Sequence, residues 1–378
     1  MQLKIRLAVS LVSLVGCAAS DAPVARSSAK VHVTGTSFEH LRQRGHSLVF
    51  TESATVQSLD LGSNRISPLS PSLAGVPWGL VELGDRLVVG VDGYCPGPDG
   101  ASCVSGLSLV QLDPDGPHVL TVLDELWDPH SIEVVGDRMV ALSSGLFDPS
   151  HSVGCDMSQL LEVDARGGHR AVGPIVSDAR RAVQAFGGIA YSISRAPVGF
   201  IPNGCAVGDV ARSPRSIELY GTDGLATLAV SDDDARAMWL LGGTDDTLWA
   251  ARPVGDGSAG SDVLAIDRAG RVTVLGRLPA AEVPIMAVAQ GNHIFLGILR
   301  TDATDDPERC GGATPCQTAG ESIVRTLART GERTAVDDVV VAQRDEYFAQ
   351  LLVADNRLFA ATSRALVEVD VGADPGME

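Results

Sequence analysis

The sequence lacks the motifs that announce the common chemistries. Lysine occurs only at Lys4 and Lys30, and Gly-Lys never occurs, so there is no phosphate-binding P-loop. There is no Gly-x-Ser-x-Gly elbow, no His-Glu-x-x-His, no Cys-x-x-Cys pair and no Cys-x-x-Cys-His haem motif. Cations are scarce: Lys and Arg total 29 against 47 acids, a net charge of −18. Such a chain is a poor partner for nucleic acid, which binds positive surfaces. No apolar run after residue 16 reaches the length of a membrane-spanning helix. Long helical periodicity is missing too, which argues against α/β folds. What remains is 378 residues, 45% apolar and only 20% charged, enough for a substantial buried core and too apolar for wholesale disorder.

The first seventeen residues carry an address. Lys4 and Arg6 precede an apolar stretch, Leu7 to Val15, of the length of a signal-peptide core. It ends in Leu14-Val15-Gly16-Cys17, which resembles a bacterial lipobox. The resemblance implies cleavage after Gly16, a diacylglycerol on the Cys17 thiol and a further acyl chain on the new amino group. Several acyl chains anchor a protein stably. Ala18 in place of Asp after the cysteine implies an outer-membrane destination. An ordinary secretory peptide with an incidental cysteine is the competing reading. The expected division is a signal peptide at 1–16, a lipidated cysteine and flexible tether at 17–30, and one domain at 31–378. Removal of residues 1–16 takes away Lys4 and Arg6 and no acid, so −18 becomes −20.

Six further cysteines remain: Cys95, Cys103, Cys155, Cys205, Cys310 and Cys316. An even number in an exported protein reads as three disulfides, and 15 pairings are open. Proximity favours Cys95 with Cys103 and Cys310 with Cys316, which leaves Cys155 with Cys205. The spacing does not suit structural zinc.

A short phrase recurs along the chain, at Gly45, Gly84, Gly136, Gly187, Asp246, Gly291 and Asp355, about 52 residues apart on average. Each copy is a Gly, Asp or Asn turn between two apolar strands. A second punctuation follows, as in Asp113-Pro-Asp-Gly116, Asp164-Ala-Arg-Gly167 and Asp267-Arg-Ala-Gly270, where Asp can accept from its own turn. The unit is four antiparallel strands, A to D. The first two are apolar almost continuously, as a sheet covered on both faces requires. The pattern resembles an all-β fold, a β-propeller of four-stranded blades, without a WD or kelch signature. The count is seven blades with Phe38 to Arg42 as a poor first strand, and six without it. Val31-His32-Val33 is the candidate closing strand for the last blade.

In such a blade the B–C loops and D–A connections share a face. Long B–C loops are expected at 92–106, 144–158, 194–214 and 299–320, and all six cysteines fall in them. The D–A connections, at the mouth of the central channel, offer Trp78, Trp127, Asp128, His130, Arg181, Arg236 and Tyr347. Trp78 and Trp127 stand out in a chain only 4% aromatic; packing between blades is the plainer role for both. His130 with Asp128 is the weak candidate acid–base pair, and a hydrogen-bonded structural histidine is the alternative. Clusters at Asp232–Asp234 and Asp302–Asp306 are where Ca²⁺ would sit, with a solvated acidic face as the rival; no cofactor is expected. The leading functional reading is a lipid-anchored envelope module that binds a protein or glycan through its stapled loops. The alternatives are a propeller enzyme of lactonase, lyase or glycan-hydrolase type, and an outer-membrane assembly factor.

Overall fold

The computed structural model describes residues 29–35, 37–94, 106–148, 153–155, 157–179, 182–201, 204–209, 213–231, 238–255, 259–304, 316–330, 338–344 and 346–370. They form seven four-stranded antiparallel blades and no helix. The chain enters as β1 (Ala29–Thr34), two residues earlier than the expected domain start. Blade 1 is β2 (Phe38–Arg44), β3 (Ser47–Glu52), β4 (Thr55–Asp60) and β5 (Ile66–Pro68). Blade 2 is β6 (Val76–Leu83), β7 (Arg86–Asp92), β8 (Leu107–Asp113) and β9 (Gly116–Leu123). Blade 3 is β10 (Leu126–Val135), β11 (Arg138–Asp148), β13 (Met157–Val163) and β14 (His169–Ser177), with the short β12 (Val153–Cys155) in its B–C loop.

Blade 4 is β15 (Val183–Ala185), β16 (Gly188–Ser194), β19 (Arg215–Gly221) and β20 (Gly224–Leu228). Its B–C loop carries a hairpin, β17 (Val198–Ile201) and β18 (Gly204–Val207). Blade 5 is β21 (Trp239–Gly243), β22 (Thr247–Pro253), β23 (Ser261–Asp267) and β24 (Val272–Leu278). Blade 6 is β25 (Glu282–Gln290), β26 (His293–Thr304), β27 (Cys316–Ala328) and β28 (Val339–Ala342). Blade 7 is β29 (Phe348–Ala354), β30 (Arg357–Thr362) and β31 (Ala365–Val369), completed by β1.

The molecule is a seven-bladed β-propeller closed by its amino-terminal strand. Pairing of β1 with β31 removes the edges that an open ring would expose. Ala29 stands opposite Val369 and Thr34 opposite Ala365, so the chain enters from the face that carries the A–B and C–D turns. The B–C loops lie on the opposite face. The core is a series of apolar seams between neighbouring blades, such as Leu107, Met139 and Leu161 between blades 2 and 3. The recurrent phrase marks the A–B turns: Gly45, Gly84, Gly136, Gly187 and Gly291 all have positive φ, where glycine carries no Cβ penalty. The Asp turns at Asp164 and Asp267 cap themselves as expected. Asp164 Oδ1 accepts from Arg166 N and Gly168 N at 2.8 and 2.9 Å, and Asp267 Oδ1 does the same for Ala269 N and Arg271 N.

Strand C of each of blades 3 to 7 also carries a buried or half-buried charged residue: Glu162, Glu218, Asp262, Arg325 and Glu368. Each is paired. Glu162 accepts from Arg138, Arg170 and Tyr220, and these donors hold its carboxyl at about 2. Arg325 donates to Asp338 and Glu282, and Arg357 clasps both oxygens of Glu368 at 2.6 Å. Buried charge is tolerated when it is partnered in this way.

Several sequence expectations shift. The D strand of blade 6 is Val339–Ala342. The expected loop at 299–320 is shortened by pairing, since β26 and β27 continue their ladder to Thr304 opposite Cys316. Strand β10 begins at Leu126, so Trp127, Asp128 and His130 belong to the inner strand of blade 3 and not to the connection before it. The connection is only two residues because β9 runs to Leu123.

Candidate functional site

The inner strands share a device that the sequence reading missed. A register shift interrupts the pairing of strand A in every blade but the fourth, between Glu39 and Arg42, Pro77 and Gly79, Pro129 and Ser131, Leu240 and Gly242, Pro284 and Met286, and Phe348 and Gln350. These bulges place His40, Trp78, His130, Leu241, Ile285 and Ala349 at equivalent positions around the channel. Bulges disrupt a ladder locally and re-aim side chains, and they tolerate proline within a strand. The legible signal was the repeated Pro-x pair at Pro77-Trp78, Pro129-His130 and Pro284-Ile285.

Backbone groups at these bulges find side chains from the neighbouring blade. Gln350 of blade 7 accepts from Leu41 N at 2.7 Å and donates to Leu41 O at 3.1 Å. The His40 ring donates to Pro77 O at 3.2 Å, Arg42 Nε to Leu80 O at 2.9 Å, and Trp239 Nε1 to Pro284 O at 2.8 Å. The inner ring is therefore stitched from one blade to the next. His40 takes a φ of 54°, an uncommon conformation for a residue with a Cβ, held by these bonds.

At the channel mouth, blades 7 and 1 bring together Tyr347, Glu39 and His40, and the His40 ring reaches Pro77 of blade 2. The Tyr347 hydroxyl donates to Glu39 Oε1, and His40 Nε2 lies 3.4 Å from Glu39 Oε2. Burial and the Glu39 carboxylate push the Tyr347 phenol upward. Trp78 is half-buried and packs against the seam between blades 2 and 3. His130 was expected to be the lone histidine at the inner rim; the structure adds His40 at the matching bulge of blade 1. Deeper in the channel, Glu133 of blade 3 accepts from Arg42 of blade 1 at 2.7 Å and from Gln184 of blade 4 at 3.0 Å. This polar bridge links three blades below the mouth. The cluster above it offers a phenol, a carboxylate and an imidazole, the groups of acid–base chemistry.

The B–C face holds the second feature. Cys155 in β12 and Cys205 in β18 form a disulfide with Cα atoms 5.9 Å apart, well inside the usual range. It joins the B–C loops of consecutive blades, and the hairpin from blade 4 leans over blade 3, with β17 beside β14 and β18 beside β12. Val198 and Cys205 pack against the seam between blades 2 and 3. Below them the buried Arg215 side chain donates to the Asp178 carboxylate and backbone carbonyl, fixing the connection into blade 4. The same face exposes apolar surface at Val76, Val207 and Tyr347 (57%, 41% and 48% exposed).

Cys17, Cys95, Cys103, Cys310, Arg181, Arg236 and Asp232–Asp234 lie outside the described residues. For Cys316, Trp127, Asp128 and His130 only the strand position is described. Asp302 is occupied by the Arg344 guanidinium. Among the described residues no group of three His, Cys, Asp or Glu could hold a metal ion. No helix among them is long and apolar enough to cross a membrane.

No protein-family model matches the sequence, and no curated protein matches it. Similar solved structures exist. One is virginiamycin B lyase from Staphylococcus aureus, a catalytically inactive variant with quinupristin; it is 11% identical, covers 90% of this chain and 96% of its own, with a TM-score of 0.51. Another is YCF48 from Cyanidioschyzon merolae, 8% identical over 90% and 98% of the two chains, TM-score 0.53. A third is the β-propeller domain of the Trilobed protease from Pyrococcus furiosus, described as having an open velcro topology, 8% identical over 90% and 97%, TM-score 0.51. At these identities the likeness is one of fold. The present ring is closed where that third one is described as open.

Proposed function

We propose that this chain is an envelope lipoprotein that binds a protein or glycan partner through the stapled loops of blades 3 and 4. The observation that carries the reading is the Cys155–Cys205 bridge, which fixes a loop hairpin of one blade over the loop of the next. Rigid, preorganised loops bind with a smaller ordering cost. The exposed Val76, Val207 and Tyr347 on the same face add apolar contact surface. The lipid on Cys17 would sit on a tether of residues 17–28, at most about 40 Å when extended. This tether meets β1 on the turn face, so the stapled loops would point away from the membrane. The test is to shorten the hairpin at 199–206 and assay partner retention by cross-linking in envelopes. Loss of the partner supports the reading, and full retention contradicts it.

A second reading is favoured by the Tyr347–Glu39–His40 cluster: an enzyme with its site at the channel mouth. The lyase among the similar folds makes lyase chemistry a reaction class to assay. In this reading, His40→Ala and His130→Ala abolish turnover while the protein stays folded. In the first reading, both variants keep the partner.

A further inference from the structure

The strand that closes the ring holds on by one side. β1 pairs with β31, and its outer edge carries no strand among the described residues. None of its six residues is wholly buried. Ala29 and Val31 lean on the seam with blade 6, and Val33 on the seam with blade 1. The ladder is also broken in the middle. Val31 stands opposite Val367 and Val33 opposite Leu366, which leaves His32 as the bulged residue. An edge strand with few buried contacts and a broken ladder is where a fold opens first.

His32 anchors this strand. Its side chain is 3% exposed and lies against the Phe359 ring. The imidazole Nε2 is 2.8 Å from Glu368 Oε2; an ionised carboxylate only accepts, so Nε2 donates. Two cations already share that carboxylate. Arg357 clasps both oxygens at 2.6 Å, and Lys30 Nζ lies 3.9 Å away. Arg357 Nη2 is also 3.5 Å from His32 Nε2. A protonated His32 would be a third cation on one neutralised carboxylate, in a place closed to water.

The other elements around it bring no counter-charge. β28 of blade 6, which touches β1, is all Val and Ala, and Asp338 before it is engaged by Arg325 and Arg300. Blade 1 brings Leu61, whose carbonyl accepts from Arg357, and Ile66; their charged neighbours Asp60 and Arg65 are exposed. Asp355, at the A–B turn of blade 7, is bonded to Gln43 and His46, and Asp370 beyond β31 is exposed.

We propose that His32 is an acid-sensitive latch: when its ring takes up a proton, β1 leaves β31 and the propeller opens at blade 7 while the other blades stay folded. Opening would add the six residues of β1 to the linker, at most about 20 Å, and uncover the hydrogen-bonding edge of β31. In the open strand His32 titrates near the usual 6.5. In the closed ring its pKa is lower, chiefly through burial, with Lys30 and Arg357 acting the same way against the pull of Glu368. The open state therefore takes up the proton first, and closure weakens as pH falls through 6.5. The latch rests on this seam alone and not on the partner reading.

Hydrogen–deuterium exchange of the full chain at pH 7.5 and 5.5, corrected for intrinsic exchange, is the test. Protection of the 29–34 and 365–369 segments should fall about three- to tenfold at the lower pH, while 157–163 in blade 3 keeps its own. In His32→Gln, which retains a neutral donor for Glu368, the fall should vanish. If that variant is loosely folded, an Ala29→Cys/Val369→Cys bridge across the same ladder replaces it. The fall should be absent in the oxidised bridge and return on reduction. Equal loss in every blade, no loss at β1, or a loss that persists in folded His32→Gln or in the oxidised bridge would overturn the proposal.

Discussion

Cys155 and Cys205, 50 residues apart in sequence, form a disulfide that spans two blades, so the loops of blades 3 and 4 behave as one unit. Restricting a loop of this length in the unfolded chain is worth up to about 4 kcal/mol. The Cys155→Ala/Cys205→Ala double variant should lose about 2–4 kcal/mol in denaturant unfolding. Its 198–207 hairpin should become the first site of proteolytic cleavage. Unchanged protection of that hairpin would mean that packing on Val198, not the bridge, holds it.

Stability should be acid-sensitive in two stages, through the closing seam and through Glu162 of blade 3. His32 is buried against Glu368 at 2.8 Å, and burial lowers its pKa below the usual 6.5. The unfolded chain therefore takes up a proton before the folded one, and stability falls as pH drops below 6.5. Glu368 and Glu162 are held at about 2, chiefly by Arg357 and Arg170, against 4.5 when unfolded. Their contribution is present above 4.5 and is lost as pH falls toward 2. Melting temperatures across pH 8 to 2 should show both declines, and His32→Asn should flatten only the first. A flat profile from pH 7 to 4 would contradict this assignment.

Gly242 sits where the inner strands of blades 5 and 6 meet. A Cβ there would lie 2.1 Å from Ala287 O, a backbone atom that cannot turn aside. Gly242→Ala should cost about 1–3 kcal/mol by overpacking. Gly199→Ala in the hairpin, with nothing within 4 Å, should be close to neutral. Equal unfolding midpoints for the two variants would refute the close approach.

Much of the fold was legible because each blade repeats a turn at the same place. Gly84 and Gly136 announce the A–B turns, and Asp164 and Asp267 announce the C–D turns through contacts within four residues. Strand β2 looked poor because its bulge breaks the expected pattern and buries Phe38 and Leu41 three residues apart. The His40–Tyr347 mouth cluster was illegible for a different reason. Its members come from opposite ends of the chain and meet only when the ring closes.

If the lipobox reading is right, labelled palmitate should be incorporated into the wild-type protein and not into Cys17→Ser. The variant should leave the membrane fraction while keeping its fold. Membrane retention of unlabelled Cys17→Ser would remove the anchor from the proposal.

The most direct test of the binding-module account is a comparison of partner retention in cross-linked envelopes. The native protein, a variant shortened at 199–206 and the His40→Ala variant would be assayed side by side. The account predicts a stoichiometric protein or glycan partner on the native protein and on His40→Ala, and none on the shortened hairpin. Equal retention by the shortened hairpin, or a partner lost only with His40→Ala, would contradict it and move the functional site to the channel mouth.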